Sequence, residues 1–514
     1  MSSSAQSAQS HAAPRSLRTS SLSEGVLILL ALTIVQRLVG FARGIYFCRS
    51  LDAEQLGQWD LALSFLMLAA PLAVFALPGS FGRYAESYRT AGQLRTFLRR
   101  TTLVSVVPAL LFCTSAAVFA PHVADFIFAG PDEATLVRAM AVSLAGLITF
   151  NFLTCLFTAL KAGRLVSYMQ FTNTLLFAVV SFALMAGWRS DAVSGVVAFG
   201  VGCFVSSAAA LVWMVRLWRE LPESTIPLPH GTLWAKLMPF AFWLWVTNWV
   251  ANSFEMADRY MIVHFSDLAP HAALDLVGQY HSARIIPALM LGLADMLSTW
   301  ITPHLINDWE TGDRAAVSRR LSFILKSFTL VFVGGSVVLV VGAPLFFHTA
   351  LADKFGFGQE IFPWALACAI WTGLAMISNN WLWCAERSRQ VVIGLALGLV
   401  LNIGLNLWLL PRYGLTGVVI AAAAAKCLSL AVLWLQCGWL EMRIDRGLLL
   451  AGLSPTLLLL GPWWASAILV VVAVGAIPAV SLFTSEEKAQ IAAGAQRVLE
   501  RFVRSAARRA SQAQ

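Results

Sequence analysis

The strongest constraint on the fold is a series of fourteen apolar segments along the chain. A helix that spans a bilayer needs roughly 20 apolar residues, and only 12% of the 514 residues are charged, about half the share in a soluble protein. The sequence therefore predicts an all-α polytopic membrane protein. The segments lie near residues 24–48, 56–80, 101–120, 138–160, 166–187, 193–215, 234–257, 273–303, 321–346, 361–383, 391–411, 415–437, 447–461 and 463–483.

The first twelve segments repeat one six-segment plan in the same order. The copies are about 220 residues apart, so we predict two parallel six-helix bundles, residues 23–220 and 221–440, with an axis between them. Residues 441–484 hold an extra pair, which forms either two spanning helices or a re-entrant hairpin because its first segment is short. The recurring motifs contain paired glycines: Gly57 with Gly278, Gly92 with Gly312, and Gly195 with Gly417.

Basic residues predict which side of the membrane each loop occupies. Of the 36 Lys and Arg residues, 26 lie on the side that holds both termini and six on the other side. Both termini are therefore predicted to be cytoplasmic, and the net charge of +9 reflects topology rather than a nucleic-acid partner. Residues 1–22 are predicted to be a disordered cytoplasmic tail, and residues 485–514 a basic amphipathic tail on the membrane surface.

The sequence contains no recognisable catalytic motif. H-E-x-x-H, G-x-S-x-G and P-loop patterns are missing, and the predicted outer loops are too short for a catalytic domain. The eight cysteines are scattered through apolar segments without a C-x-x-C pair, so neither a metal site nor a disulfide framework is predicted. We predict a protein that is not an enzyme and uses no cofactor.

The seventh segment carries a polar stripe along an otherwise aromatic helix. Asn248, Asn252, Glu255 and Arg259 are separated by four, three and four residues, which places them on one helix face. A charge near the bilayer centre costs roughly 2.5–3.5 kcal/mol, so this face is predicted to line a cleft between the two halves and to bind the transported substrate. The alternative is a packing seam in which Glu255 neutralises Arg259 one turn away.

Other charged residues also lie within predicted spanning helices. Arg43 belongs to a stripe of the first helix that is equivalent to the stripe of the seventh, while Arg37 lies off it. Arg284 and Asp295 are 11 residues apart on one face of the eighth helix. We predict that the three arginines bind substrate, and that Glu255 and Asp295 are candidates for H+ or Na+ coupling. Ion pairing, or snorkelling to the headgroups, is the alternative.

The eleventh segment has a third stripe of small and polar residues. Gly394, Gly398, Asn402 and Asn406 recur every four residues. The two glycines form a G-x-x-x-G pair, which favours close helix packing supported by asparagine hydrogen bonds. Alternatively, this stripe forms a further polar wall of the predicted cleft.

Several motifs, taken in order, resemble those of one family. Through these motifs the chain resembles bacterial polysaccharide-export flippases of the Wzx type, in the MOP superfamily. The resemblance covers roughly residues 22–440. The motifs are RSL at 49–51, EQLGQW at 54–59, RY at 83–84, DRY at 258–260, VGQY at 277–280, LNIGLN at 401–406 and LPRYGLTG at 410–417.

This resemblance implies a MATE-like fold and a flippase of the bacterial inner membrane. Its implied substrate is an undecaprenyl-diphosphate-linked oligosaccharide, moved to the outer leaflet by alternating access for polymerase and ligase machinery that makes lipopolysaccharide O-antigen or exopolysaccharide. A diphosphate that leaves water needs cations, and the planar fork of Arg suits it. A lipid II flippase or a cation-coupled multidrug transporter on the same fold stays open, and a membrane polymerase or ligase is a third alternative.

Overall fold

A computed structural model describes residues 22–220 and 228–461, with short pieces at 463–464, 466–467, 470, 482–484 and 487–488. Nearly all of the predicted terminal tails and most of the fourteenth segment lie outside the described residues. In the part that is described, fourteen α-helices follow one another: α1 (Leu22–Ser50), α2 (Ala53–Ala73), α3 (Phe81–Thr90), α4 (Leu94–Val118), α5 (Ala120–Phe128), α6 (Ala134–Ala159), α7 (Gly163–Gly187), α8 (Ala192–Glu220), α9 (His230–Phe265), α10 (Pro270–Glu310), α11 (Arg314–Thr349), α12 (Gly356–Cys384), α13 (Ser388–Trp439) and α14 (Arg446–Leu453).

The all-α polytopic fold predicted from the sequence is confirmed. The first twelve predicted segments lie in long helices, except that the second ends early, at Ala73, and continues as a 3-10 helix, Leu77–Ser80. The eleventh and twelfth are both contained in α13, which breaks at Gly414. There φ is 56° and ψ is −136°, a conformation that only glycine adopts readily. The thirteenth segment becomes the short α14 and a 3-10 helix, Ser454–Leu460.

The helices differ in how much of their surface the protein itself covers. Within the described residues, nine helices are long and apolar enough to cross a bilayer. Among these, α2, α6 and α12 are mostly buried, whereas less than a third of the apolar stretch of α4, α7 and α11 is buried. Apolar surface of that extent is stable only in contact with lipid. The chain is therefore a multi-pass membrane protein with central and lipid-facing helices.

Equivalent turns in the two halves have the same geometry. Gly92 and Gly312 both have positive φ values, 68° and 84°. In each turn the amide of the next residue donates to the carbonyl five positions back, at 2.8 and 3.1 Å. This is the glycine-dependent ending of a helix that satisfies its last free carbonyls. At this turn, the internal repeat of the sequence is matched in the structure.

Helices α2 and α10 cross at another pair of equivalent glycines. A Cβ atom at Gly57 would lie 1.9 Å from the carbonyl oxygen of Leu274, and one at Gly278 would lie 1.9 Å from that of Ala53. No larger residue fits without moving a helix backbone. The axis between the halves therefore passes close to this contact.

The two halves also meet towards both ends of the helices. At the end predicted to be outside, the Nζ atom of Lys354 donates to the carbonyl of Arg49 at 2.7 Å, and the Arg49 guanidinium donates to the carbonyl of Thr349 at 3.1 Å. Towards the opposite end, the ring of Tyr84 packs edge-on against Phe240 with centroids 5.7 Å apart. The space between the halves lies between these contacts.

Candidate functional site

A polar cavity of about 630 Å³ lies between the two halves. Helices α1, α2, α6 and α7 provide the N-terminal wall, and α9, α10, α12 and α13 provide the C-terminal wall. Six of the predicted site residues are among its charged lining. The Arg, Lys, Asp and Glu side chains and the one histidine of the lining are Arg37, Arg43, Asp60, Glu255, Asp258, Arg259, His281, Arg284, Asp295 and Lys426.

Asp60 on α2 joins the two walls. Its carboxylate accepts hydrogen bonds from Nε and Nη2 of Arg259 at 2.5 and 3.2 Å, and lies 2.8 Å from Nδ1 of His281. Such two-pronged arginine–carboxylate pairs are the strongest of their kind. The side chains of Asp60 and Arg259 are only 5% and 8% exposed. In this conformation Arg259 therefore links the walls, and its predicted contact with substrate stays a prediction.

The Asp60 contact with His281 also follows the internal repeat. The two residues are 221 positions apart, which is the separation of Gly57 and Gly278. Equivalent positions of the two halves thus touch each other across the axis. Any separation of the halves at this level breaks the contact.

Glu255 neutralises two cations within the C-terminal wall. Its carboxylate accepts hydrogen bonds from Arg284 and Lys426, each at 2.7 Å. Arg259 instead donates to the backbone carbonyl of Glu255. In this conformation the Glu255 carboxylate pairs with Arg284 and Lys426 rather than with Arg259, whose side chain extends across to α2.

Asp258 is held by three neutral donors. The Tyr280 hydroxyl donates to one carboxylate oxygen at 2.7 Å, and the amides of Asn402 and Asn406 donate to the other at 2.9 and 3.2 Å. The polar part of the α13 stripe is therefore a buried hydrogen-bonded seam against α9. Gly398 packs in the same seam, where its missing side chain leaves room for Ser429.

Arg37 and Asp295 form an ion pair between α1 and α10. Nη2 of Arg37 lies 3.3 Å from the Asp295 carboxylate, and the two side chains are 41% and 56% exposed. Gly292 lies beneath the guanidinium, since a Cβ there would be 2.8 Å from it. Both residues line the cavity, as the sequence indicated, and each has the other as its counter-charge.

Arg43 differs from the other cationic residues of the cavity. Its guanidinium carbon lies 3.8 Å from the centroid of the Phe177 ring, a cation–π contact. None of the described carboxylates lies within 4.0 Å of the Arg43 guanidinium nitrogens. Among the described residues, Arg43 is therefore the cavity arginine without a counter-charge, and it is suited to binding an anion.

Asn248 and Asn252 lie on α9 but do not line the cavity. Their amides donate to the carbonyls of Leu244 and Asn248, one turn back along their own helix, at 2.8 Å each. Asparagine competes for backbone partners in this way, so a shared helix face does not guarantee that the side chain points outward. Their predicted role in substrate binding stays a prediction.

Sequence reasoning missed several lining residues. Asp60, Asp258 and His281 were not singled out, nor were the side chains of α7 that face Arg43. A signal existed for Asp60, which is a charge inside an apolar segment and lies one repeat length before His281. The α7 residues are uncharged, so nothing in hydropathy or charge distinguished them.

The chemistry available in the cavity is ion pairing and hydrogen bonding. Among the described residues, no group of three or more His, Cys, Asp or Glu side chains is placed to hold a metal ion. Four carboxylates and five cationic side chains line the space, and all of the carboxylates accept hydrogen bonds from the protein itself.

Comparison with known proteins identifies the family and the fold. The family model described as "Polysaccharide biosynthesis protein" matches residues 22–303, more than half of the chain. Stage V sporulation protein B of Bacillus subtilis (strain 168) is 26% identical over 123 residues, a match that covers 23% of this chain and 23% of that protein.

Two solved structures show the same fold. The lipid II flippase MurJ in an inward closed conformation is 13% identical with a TM-score of 0.66, over 87% of this chain and 96% of that one. An inward-facing multidrug resistance MATE family transporter of the MOP superfamily is 13% identical with a TM-score of 0.57, over 82% and 99%. These likenesses confirm the predicted MATE-like architecture. The chain belongs to the polysaccharide biosynthesis protein family and has the flippase and transporter fold of the MOP superfamily.

Proposed function

We propose that the protein is a flippase for undecaprenyl-diphosphate-linked oligosaccharides. It moves them from the cytoplasmic to the outer leaflet of the bacterial inner membrane, with both termini in the cytoplasm, for O-antigen or exopolysaccharide synthesis. The observation that carries the proposal is Arg43, a cavity arginine with no counter-charge among the described residues. A diphosphate needs such a cation when it leaves water, and the guanidinium fork matches its oxygens. The polyprenyl tail stays in lipid.

Transport by alternating access requires the two halves to separate and rejoin. The link from Asp60 to Arg259, and the contact of Gly57 with α10, hold the halves together in this conformation. Outward release of the headgroup would break these contacts, while Arg43 on α1 keeps its place in the N-terminal half. An inside-negative potential favours outward movement of an anion by about 2.3 kcal/mol per charge per 100 mV.

Glu255 and Asp295 stay our candidates for H+ or Na+ coupling. Each is a carboxylate of the cavity that is paired with basic side chains. Neutralising either carboxylate would release those cations, and a released cation would bind an anionic headgroup more strongly. This coupling is part of the proposal and is tested by transport measurements in imposed H+ and Na+ gradients.

Two alternatives make different demands on the cavity. A multidrug transporter for cations would need an available carboxylate, whereas all four cavity carboxylates accept bonds from described donors. A lipid II flippase would use the same cation for its diphosphate. This second alternative is separated by physiology, because its loss blocks peptidoglycan synthesis rather than surface polysaccharide.

The test is complementation of a deletion strain with Arg43 variants. We expect Arg43→Ala to lower surface polysaccharide about a hundredfold, equivalent to about 2.7 kcal/mol of lost binding, with normal amounts of protein in the membrane. Arg43→Lys should be intermediate, because it keeps the charge and loses the fork. Arg138→Ala is the matched control, since Arg138 is an exposed arginine of the same half that does not line the cavity.

Three results would count against the proposal. Normal surface polysaccharide in the Arg43→Ala strain would remove Arg43 from the site. Lysis with intact surface polysaccharide in the deletion strain would favour the lipid II alternative. Loss of efflux of cationic compounds, with polysaccharide unchanged, would favour the multidrug alternative.

A further inference from the structure

Uncharged polar side chains of α7 lie beside Arg43 in the N-terminal wall. Gln170, Asn173 and Thr174 all line the cavity, and their spacing of three and four residues places them on one helix face. Phe177, whose ring contacts Arg43, continues that face. Asn173 is about one helical turn, roughly 5–6 Å, from Phe177. We call Gln170, Asn173 and Thr174 the α7 polar set.

The hydrogen-bonding capacity of this set is largely unused. Oδ1 of Asn173 is buried against Gly202 of α8, whereas its Nδ2 donor makes no hydrogen bond with a described residue and is left for the cavity. The Gln170 side chain makes no hydrogen bond with any residue that the structure describes, although it lines the cavity. Thr174 donates its proton to the Gln170 carbonyl at 2.9 Å, so its oxygen can still accept. Gln170 is exposed, so the donors and acceptors that this set leaves unpaired on one wall of the cavity are open to a ligand.

The opposite wall offers nothing comparable. Glu255 is held by Arg284 and Lys426, and the Asp258 carboxylate by a hydroxyl and two amides. A ligand would have to displace those partners, at the cost of leaving buried charges unpaired. At the α7 polar set, a ligand adds hydrogen bonds without displacing any that the described residues make.

We propose that the α7 polar set binds an uncharged sugar attached directly to the diphosphate that Arg43 holds. This inference rests on the proposed flippase function and names the specificity-determining residues. Sugar hydroxyls both donate and accept; the Gln170 amide offers both roles, Asn173 offers its Nδ2 donor, and Thr174 offers an acceptor. Arg43 is engaged by the diphosphate, and Arg37, the other arginine of α1 in the cavity, is paired with Asp295. The set therefore selects an uncharged sugar over one that carries a carboxylate.

The test compares three synthetic ligands on the full-length purified protein. They are a polyprenyl diphosphate bearing one glucose, one bearing one glucuronic acid, and one without sugar. We expect the wild type to bind the glucosyl ligand about tenfold or more tightly than the other two, as two to three net hydrogen bonds predict. The Gln170→Ala/Asn173→Ala variant should lose this tenfold preference and bind the sugar-free ligand as before.

Controls separate selectivity from folding. Asn151→Ala replaces an exposed amide of α6 that does not line the cavity, and it should keep the full preference. Thr174→Val keeps side-chain shape and removes one hydroxyl, so it should weaken glucosyl binding about threefold to fivefold even if the double variant fails to fold. The melting temperature of each variant is measured alongside.

The outcomes distinguish this inference from the function on which it rests. No preference for the glucosyl ligand in the wild type, or equal weakening for all three ligands in Thr174→Val and in a folded double variant, overturns the sugar assignment alone. A wild-type protein that binds none of the three diphosphates overturns the proposed function as well. Arg43→Ala should weaken binding of all three ligands to a similar degree.

Discussion

The two walls of the central cavity come from the two predicted repeats, but they differ in how far their polar side chains are paired within the protein. In the C-terminal wall, Glu255 and Asp258 each accept hydrogen bonds from two or more donors. In the N-terminal wall, Arg43 contacts an aromatic ring, and the amides of Gln170 and Asn173 on α7 make no hydrogen bond with a described residue. These carboxylates of the C-terminal wall are satisfied by the protein itself, whereas the part of the N-terminal wall formed by Arg43 and α7 can still bind a ligand. A repeat therefore fixes helix positions without fixing which half holds the ligand.

The largest expected effect comes from breaking the link between the walls. Asp60→Asn leaves the Arg259 guanidinium buried with no carboxylate partner, which should destabilise the protein by about 3–5 kcal/mol. Thermal unfolding of purified protein in detergent measures the change. The double variant Asp60→Asn/Arg259→Gln should recover most of the loss, because it removes the unpaired charge. An unchanged melting temperature in Asp60→Asn would mean that the walls are not held together by this pair.

A matched pair of asparagines sharpens the contrast between the walls. Asn402 is fully buried and donates to Asp258 at 2.9 Å, so Asn402→Ala should cost about 1–3 kcal/mol by leaving a carboxylate less satisfied. Asn173→Ala removes an amide whose oxygen has no partner, and should change stability by less than about 0.5 kcal/mol. Both are measured by the same unfolding experiment. Equal losses would show that the N-terminal wall is as saturated as the other.

Helix order, the repeat and most of the charged lining follow from the sequence. Arg43, Glu255 and Arg284 are found by spacing and hydropathy alone, because a charge in an apolar helix must face a polar space. The repeat places them on both sides of one axis. The ion-pair partners of these charged residues cannot be predicted from the sequence, because they depend on which helices cross and at which residues they cross. The choice of Arg259 between Glu255 and Asp60 is decided by the approach of α2 to α9.

The sequence also does not predict which uncharged polar side chains face the cavity. Asn248 and Asn252 share a helix face with Glu255, yet their amides turn back to the carbonyls of their own helix. Asn173 has the same side chain and lines the cavity. Hydropathy and spacing do not separate these cases, because the difference arises from local competition for backbone partners and from the packing of neighbouring helices.

The smallest expected effect is that of Arg37→Ala. It tests whether having a counter-charge explains why two arginines of the same helix differ in their role. Arg37 and Arg43 are both on α1 and both line the cavity, but Arg37 has Asp295 as a half-exposed partner. Such a pair contributes at most about 1 kcal/mol, so Arg37→Ala should leave the melting temperature nearly unchanged. Because Arg37 already has an anion, surface polysaccharide should fall less than about threefold, far less than for Arg43→Ala. A loss as large as that of Arg43→Ala would move the anion site towards the Arg37 end of α1, and would mean that the Asp295 pair opens during transport.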